Sequence, residues 1–322
     1  MAQLRNEFIQ GMKAEMYAYY FESYDKHTAK YPEIFDVRTS GGAYEKTTSV
    51  IMPGVLQKKV EGEPIQAKKL SEGYTVYIKN DTYAVSIPLS KEAVDDNRRI
   101  KEILRKAAAE FGDAVAQTKD VRAATIFNEG GKTAGHEIFN GTVQGGVVDD
   151  PSGNLCYDGK PFFNLSDNLR SSKGRGTYYN GLALGLTHAN LKIAYNLYTD
   201  TNAKDEKDEK IALLPDVLVV PTALKFTAEE ILKSQLEPHV TVNTKNVLAD
   251  IVELVVSPFL TTANSWALGK RGKGIVFYER QGPEIDFWQD KETKSYIVDI
   301  TIRFGPGVEN WRYWVGSNFP TS

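Results

Sequence analysis

The chain has 322 residues, about twice an average domain, with 41% hydrophobic and 25% charged residues, an ordinary globular composition. Its 39 Lys and Arg against 42 Asp and Glu leave a net charge of −3, which argues against a protein that coats nucleic acid through a concentrated basic patch. The single cysteine, Cys156, excludes an internal disulfide and a Cys-based zinc site, and no uninterrupted apolar run approaches the ~20 residues of a membrane span. MAQLRNEFIQ carries no apolar stretch of signal-peptide type, so the expectation is a soluble, intracellular chain.

Residues 4–25 place Phe8, Ile9, Met12, Met16, Tyr19, Tyr20 and Tyr24 near a 3.6-residue period and predict an amphipathic helix. Pro32 and the Thr, Ser and Gly that follow it read as an N-terminal arm. Val50 to Asn80 is highly charged, with a turn signal at Gly62-Glu63-Pro64 and alternation at Tyr74, Val76 and Ile78. After Asn80-Asp81, a second alternating run holds Tyr83, Val85, Ile87 and Leu89. Together these predict a long β-hairpin feeding a core strand, with arms of ~12 residues reaching ~40 Å. Such a hairpin is marginal alone. It needs a surface, either its own domain or another chain.

Ser90 is the expected helix N-cap, and 97–128 is the longest helical pattern. Ile100, Ile103, Leu104, Ala107, Ala108, Phe111, Ala114 and Val115 form its stripe, which Val121, Ala124 and Phe127 extend. At ~1.5 Å per residue it would run ~48 Å. Gly112 is expected to weaken or bend it, and Gly130-Gly131 to end it. Residues 130–182 are rich in Gly, Asn and Asp, which predicts short strands and turns. Beyond Leu186 the pattern is α/β, with helices over 187–198 and 227–236 and strands at 217–221, 251–256 and 274–278. The run 204–210 reads as a solvated loop. Tyr296 to Phe304 alternates as a half-buried strand, broken by Gly305-Pro306-Gly307.

The search for chemistry assigns no site. Gly131-Lys132-Thr133 resembles the end of a phosphate loop, but Ile126 stands where its first glycine belongs. His136-Glu137 lacks the second zinc-protease histidine, since Asn140 occupies that position. The other histidines are His27, His188 and His239, far apart with no carboxylate at metal spacing, and they read as ordinary surface or hydrogen-bonded residues. Gly174-Arg175-Gly176 is no dinucleotide fingerprint, Cys156 has no neighbouring base, and Asp149-Asp150 carries little information. No catalytic residue, cofactor or metal is assigned.

The order of elements carries more than any motif. Met52-Pro53-Gly54 opens the hairpin, 70–74 (LSEGY) returns it, and 90–96 (SKEAVDD) enters the long helix. Further on stand 157–163 (YDGKPFF), 218–221 (LVVP) before Thr227-Ala228 and Ile231-Leu232, and 256–260 (VSPFL). Taken in order from about residue 8, these stretches resemble the major capsid protein of tailed bacteriophages with the Hong Kong 97-type fold. Within that class the resemblance is to the Mu-like major head subunit (gpT) family.

The resemblance implies an α+β fold with an N-terminal arm at 1–45 and an E-loop hairpin at 46–80. A P domain would occupy 81–185, with its spine helix at 97–128; an A domain would span 186–294, and 295–322 would return to the P domain. It also implies that the E-loop residues Lys58, Lys59, Glu61, Glu63, Lys68 and Lys69 contact a neighbouring subunit. Its partners would be copies of itself in hexamers and pentamers, packaged double-stranded DNA held without sequence-specific binding, a portal, a decoration protein and a separate scaffolding protein. The last follows because no coiled-coil extension that would act as a fused scaffold precedes the arm. The expected place is the virion, after assembly in the bacterial cytoplasm, with no membrane partner. Three other readings stay open: an encapsulin-like nanocompartment of the same fold, a soluble α+β enzyme using 130–182 as an active-site loop, and a tail or adhesin protein binding sugars through Trp311 and Trp314.

Overall fold

A computed structural model describes residues 2–27, 29–51, 58, 59, 61, 62, 71–90, 100–132, 156–167, 169–172, 175–205, 208–237, 245–293 and 295–321. Helix α1 (Ala2–Lys26) leads through a single 3-10 turn to β1 (Asp36–Thr39), the hairpin strands β2 (Tyr44–Ile51) and β3 (Ser71–Lys79), and β4 (Asp81–Leu89). Helix α2 (Ile100–Asn128) follows, then the short strands β5 (Arg170–Ser172), β6 (Arg175–Tyr178) and β7 (Gly181–Leu182). The α/β part contains α3 (His188–Asn196), β8 (Val217–Pro221), α4 (Lys225–Lys233), β9 (Glu253–Ser257) and β10 (Trp266–Gly269). The chain closes with β11 (Ile275–Gln289), β12 (Tyr296–Val308) and β13 (Trp314–Ser317).

Two sheets organise these elements. The first has the order β1-β11-β12-β4, with β1 parallel to β11 and the other pairs antiparallel. The second has the order β7-β13-β10-β8-β9, and its middle strand β10 and the neighbouring β8 are buried at every position. Sheet membership divides the chain differently from the expected segments. β11 lies in the first sheet although 275–289 was assigned to the A domain. β13 lies in the second although 295–322 was expected to return to the P domain. Hydrogen bonding decides both: β11 pairs with β12 along nearly its full length, and β13 pairs with β10 from Trp266↔Ser317 to Gly269↔Trp314.

Two strands outrun their predicted ends. β11 passes through Gly282-Pro283 because register shifts near Glu279, Gln281 and Glu284 absorb both residues as a bulge. β12 passes through Gly305-Pro306-Gly307, where Gly305 gives the backbone carbonyl of Lys79 room that a Cβ would fill. Helix ends are also adjusted. α3 starts after Thr187, whose hydroxyl accepts from Asn190 N at 3.2 Å, and α4 runs earlier than 227–236. The helix start expected at Ser90 falls on 91–99, which lie outside the described residues.

The segment read as an arm is packed into the body. Met16 and Tyr20 of α1 belong to the largest buried cluster, with Leu104, Ala108, Phe111 and Val115 of α2. Ile103 and Val121, expected in the α2 stripe, are instead exposed. α1 also covers the edge of β11 beyond the reach of β1: Ile285 N donates to the Tyr17 hydroxyl at 2.9 Å, and Lys13 reaches Asp286 at 2.6 Å. Gly112 does not end α2, which continues to Asn128. It is where α1 crosses, since a Cβ there would stand 2.7 Å from Tyr20 O and 2.9 Å from Tyr24 N. Gly130 and Gly131 likewise serve close packing, against Phe163 and the backbone of Phe319 and Pro320.

Gly112→Ala should therefore destabilise by about 1–3 kcal/mol through the forced shift of α1. Gly11→Ala, with open space around it, should gain up to about 1 kcal/mol of helix propensity. Thermal melts of the two variants check the contrast; equal shifts would refute the crossing.

Candidate assembly surface

The hairpin is held at its base. β2 and β3 pair antiparallel from Tyr44↔Lys79 to Ile51↔Ser71. Val76 and Ile78 of β3 pack under Val276 and Tyr278 of β11, so the base rests on its own sheet. Tyr74 stacks on Tyr157 at 4.1 Å, and Arg312 Nη1 donates to the Tyr157 hydroxyl at 2.9 Å. The corner between β3 and β4 is Asn80, 3% exposed, whose side-chain N–H groups donate to Ser40 Oγ at 2.6 Å and Gly42 O at 2.9 Å. Glu45 Oε1 closes the same corner by accepting from the Ser40 hydroxyl and from Gly41 N and Gly42 N. Those bonds hold its carboxyl below the usual range, the Ser40 bond most strongly. Lys58, Lys59 and Glu61 are exposed, while Glu63, Lys68 and Lys69 lie outside the described residues.

A second set of charges, buried on α2 and half-buried on β11, locks α1, α2 and β11 together. Asp120 of α2, 4% exposed, accepts from Lys30 N and Tyr31 N at 2.9 Å and thereby holds the turn after α1. Beside it, Lys119 Nζ lies 2.6 Å from Glu279 Oε1 on β11 and donates to the Tyr24 hydroxyl, while the Tyr31 hydroxyl donates to Glu279 at 2.9 Å. Burial alone would raise the Glu279 carboxyl. The bond and charge of Lys119, with the Tyr31 hydroxyl, outweigh it and hold the group below its ordinary 4.5. Sequence reading missed this pair, although Lys119 falls four residues after Val115 on the buried face of α2.

The residues weighed for chemistry are scattered. His27 meets Asp120 at 3.3 Å, and His188 lies between Glu237 and Asn246; His136, His239 and Asp149-Asp150 lie outside the described residues. Among the described residues no three His, Cys, Asp or Glu side chains converge as a metal site, and no helix is long and apolar enough to cross a membrane. Cys156 is buried, and burial above all pushes its thiol up to about 12. Trp311 and Trp314 are 2% and 0% exposed, which removes the surface the sugar-binding reading needs. The exposed apolar side chains include Phe226 at the start of α4, 72% exposed, with Leu214 and Val247 in the same part of the chain.

Comparison with known proteins agrees with this anatomy. Solved structures of similar fold include the capsid of Ralstonia phage GP4, with 12% identity, 88% of this chain and 87% of that one covered, and a TM-score of 0.52. Another is the capsid of the cyanophage P-SCSP1u, with 10% identity, 92% and 89% covered, and a TM-score of 0.51. A third is the capsid of an empty GTA particle, with 12% identity, 92% of both chains covered and a TM-score of 0.51. The fold is thus the α+β Hong Kong 97-type capsid fold. The family described as phage capsid protein matches residues 73–317, and the chain belongs to that family: it is a major capsid shell protein. No curated protein matches.

Two outcomes follow from the buried groups. Because the folded-state value of Glu279 is depressed, its contribution is complete above pH about 4.5 and is lost as pH falls through the folded-state value. Because the Glu279 side chain is 39% exposed and partly screened by solvent, Glu279→Gln should cost only about 1 kcal/mol at pH 7 and flatten the acid limb of a stability-against-pH curve; an unchanged limb would contradict the pairing. Cys156 should resist a thiol reagent at pH 8 in the folded chain and react at once in denaturant; rapid labelling of the native chain would contradict its burial.

Proposed function

We propose that this chain is a subunit of an icosahedral phage head, built as rings of six and five that close around double-stranded DNA. The observation that carries this is the hairpin: its base is tied to the subunit's own sheet while Lys58, Lys59 and Glu61 face solvent. A two-stranded extension of that kind finds its missing surface on a neighbour. Lys58, Lys59, Glu61, Glu63, Lys68 and Lys69 are the proposed contacts, where mixed charge supplies register and steering more than raw affinity. The near-neutral net charge suits a wall that encloses DNA without gripping its phosphates.

In this reading 46–80 acts as the E-loop and α2 as the spine helix of the P domain, while the part around the second sheet acts as the A domain. The role is assembly without chemical turnover, in the host cytoplasm and then the virion. A separate scaffolding protein, a portal and a decoration protein complete the set of partners. The order of short motifs supports a place near the Mu-like major head subunits. The family match favours this reading over the encapsulin-like one and over a soluble enzyme.

Deleting residues 56–69 should leave a folded, soluble subunit that forms no shells under the electron microscope. Full-size shells from the deleted chain would overturn the assignment of the hairpin. Reversing Lys58 and Lys59 to Glu should slow shell formation and change its salt dependence while the melting temperature stays put.

A further inference from the structure

The irregular middle of β11 creates a basic cavity that neither the fold nor the hairpin contacts explain. The register against β12 shifts between Glu279 and Gln281 and again before Glu284, leaving Arg280 as an extra residue in the strand. A bulge of this kind re-aims a side chain. Arg280 and Arg303, the latter on β12, line one cavity of about 200 Å³ together with Lys119 and Glu279. Nη1 of Arg280 and Nε of Arg303 are buried and have no hydrogen-bond partner among the described residues.

The local charges do not cancel. Lys119 and Glu279 neutralise each other at 2.6 Å. Glu45 acts on Arg280 electrostatically, but its Oε1 is already bound by the Ser40 hydroxyl and the N–H groups of Gly41 and Gly42. The carboxylate that acts on Arg280 is therefore otherwise engaged, and Nε of Arg303 has no hydrogen-bond partner among the described residues. A buried N–H left unpaired is costly, and more so when it is charged, so folded proteins seldom leave one without a partner. The guanidinium fork matches the oxygens of a carboxylate or a phosphate. The cavity has room for such a group.

We propose that Arg280 and Arg303 form an oxyanion-binding cavity. The oxyanion has two available sources: the carboxylate of an acidic side chain on a second copy, which rests on the shell reading above, or free phosphate, which does not.

The experiment uses the full chain, purified unassembled, with inorganic phosphate titrated against chloride at constant ionic strength. Wild type should show a saturable rise in melting temperature. Arg280→Gln with Arg303→Gln should bind phosphate about tenfold more weakly or worse, and Arg303→Lys, which keeps the charge but loses the fork, should fall between. If the double variant does not fold, Arg303→Lys alone is read the same way. In assembly, a second-copy carboxylate predicts that the folded double variant yields at least about tenfold fewer shells and that wild-type shells ignore added phosphate. Free phosphate as the source predicts normal shells whose stability still responds to phosphate. Equal phosphate responses in wild type and variants, or no response together with normal shells from the double variant, would overturn the cavity. If wild type forms no shells at all, the shell reading fails while the phosphate titration still decides the cavity.

Discussion

The antiparallel pairing of β11 with β12 is the constraint on which the remaining architecture rests. It runs from Ile275↔Val308 to Gln289↔Tyr296 and supplies two long edges and a face. β1 takes one edge near its start and α1 covers the same edge further out, through Tyr17 and Lys13. β4 takes the other edge, from Phe304↔Asp81 to Tyr296↔Leu89. The hairpin base rests on Val276 and Tyr278 of the same pair, and Lys119 of α2 is tethered to Glu279. Every contact of the first 130 residues with this pair joins positions more than 140 apart in the chain, so the N-terminal third has no frame until the C-terminal strands arrive. Such long-range pairing is slow to form and must be complete before a subunit can present its hairpin.

What could be read from one sequence follows from how locally each signal is encoded. α2, β3, β4 and the core of β12 were legible because their apolar periods repeat within single segments. The extensions of β11 and β12 were not, because Gly282-Pro283 and Gly305-Pro306-Gly307 carry the composition of breakers. Only the partner strand and the carbonyl of Lys79 show why they are tolerated. Gly112 has the same lesson: a glycine in a helix reads as a local weakness until the crossing helix is in place. Of the proposed assembly surface, the charged hairpin is visible as an isolated-strand problem. Its buried fixings, Asn80 at the corner and the Lys119–Glu279 pair, were hidden because each depends on distant residues.

The physical division within the subunit explains how a near-neutral, cysteine-poor chain can serve as a wall. On α2, charge inside the body is satisfied: Asp120 receives two backbone N–H groups, and Lys119 finds a carboxylate and a hydroxyl. Lys58, Lys59 and Glu61 are exposed, and under the proposed contact with a neighbour their pairing would cost little desolvation and add modest, directional energy. Closed symmetric shells suit that economy, since the same small interface is repeated by every copy.

Amine-reactive cross-linking of particles assembled from an equal mixture of light and nitrogen-15-labelled chains tests the central claim most directly. The account predicts that cross-linked peptides containing Lys58 or Lys59 carry mixed isotope labels, because these lysines touch a different copy. Cross-links from both lysines only within single copies would contradict it.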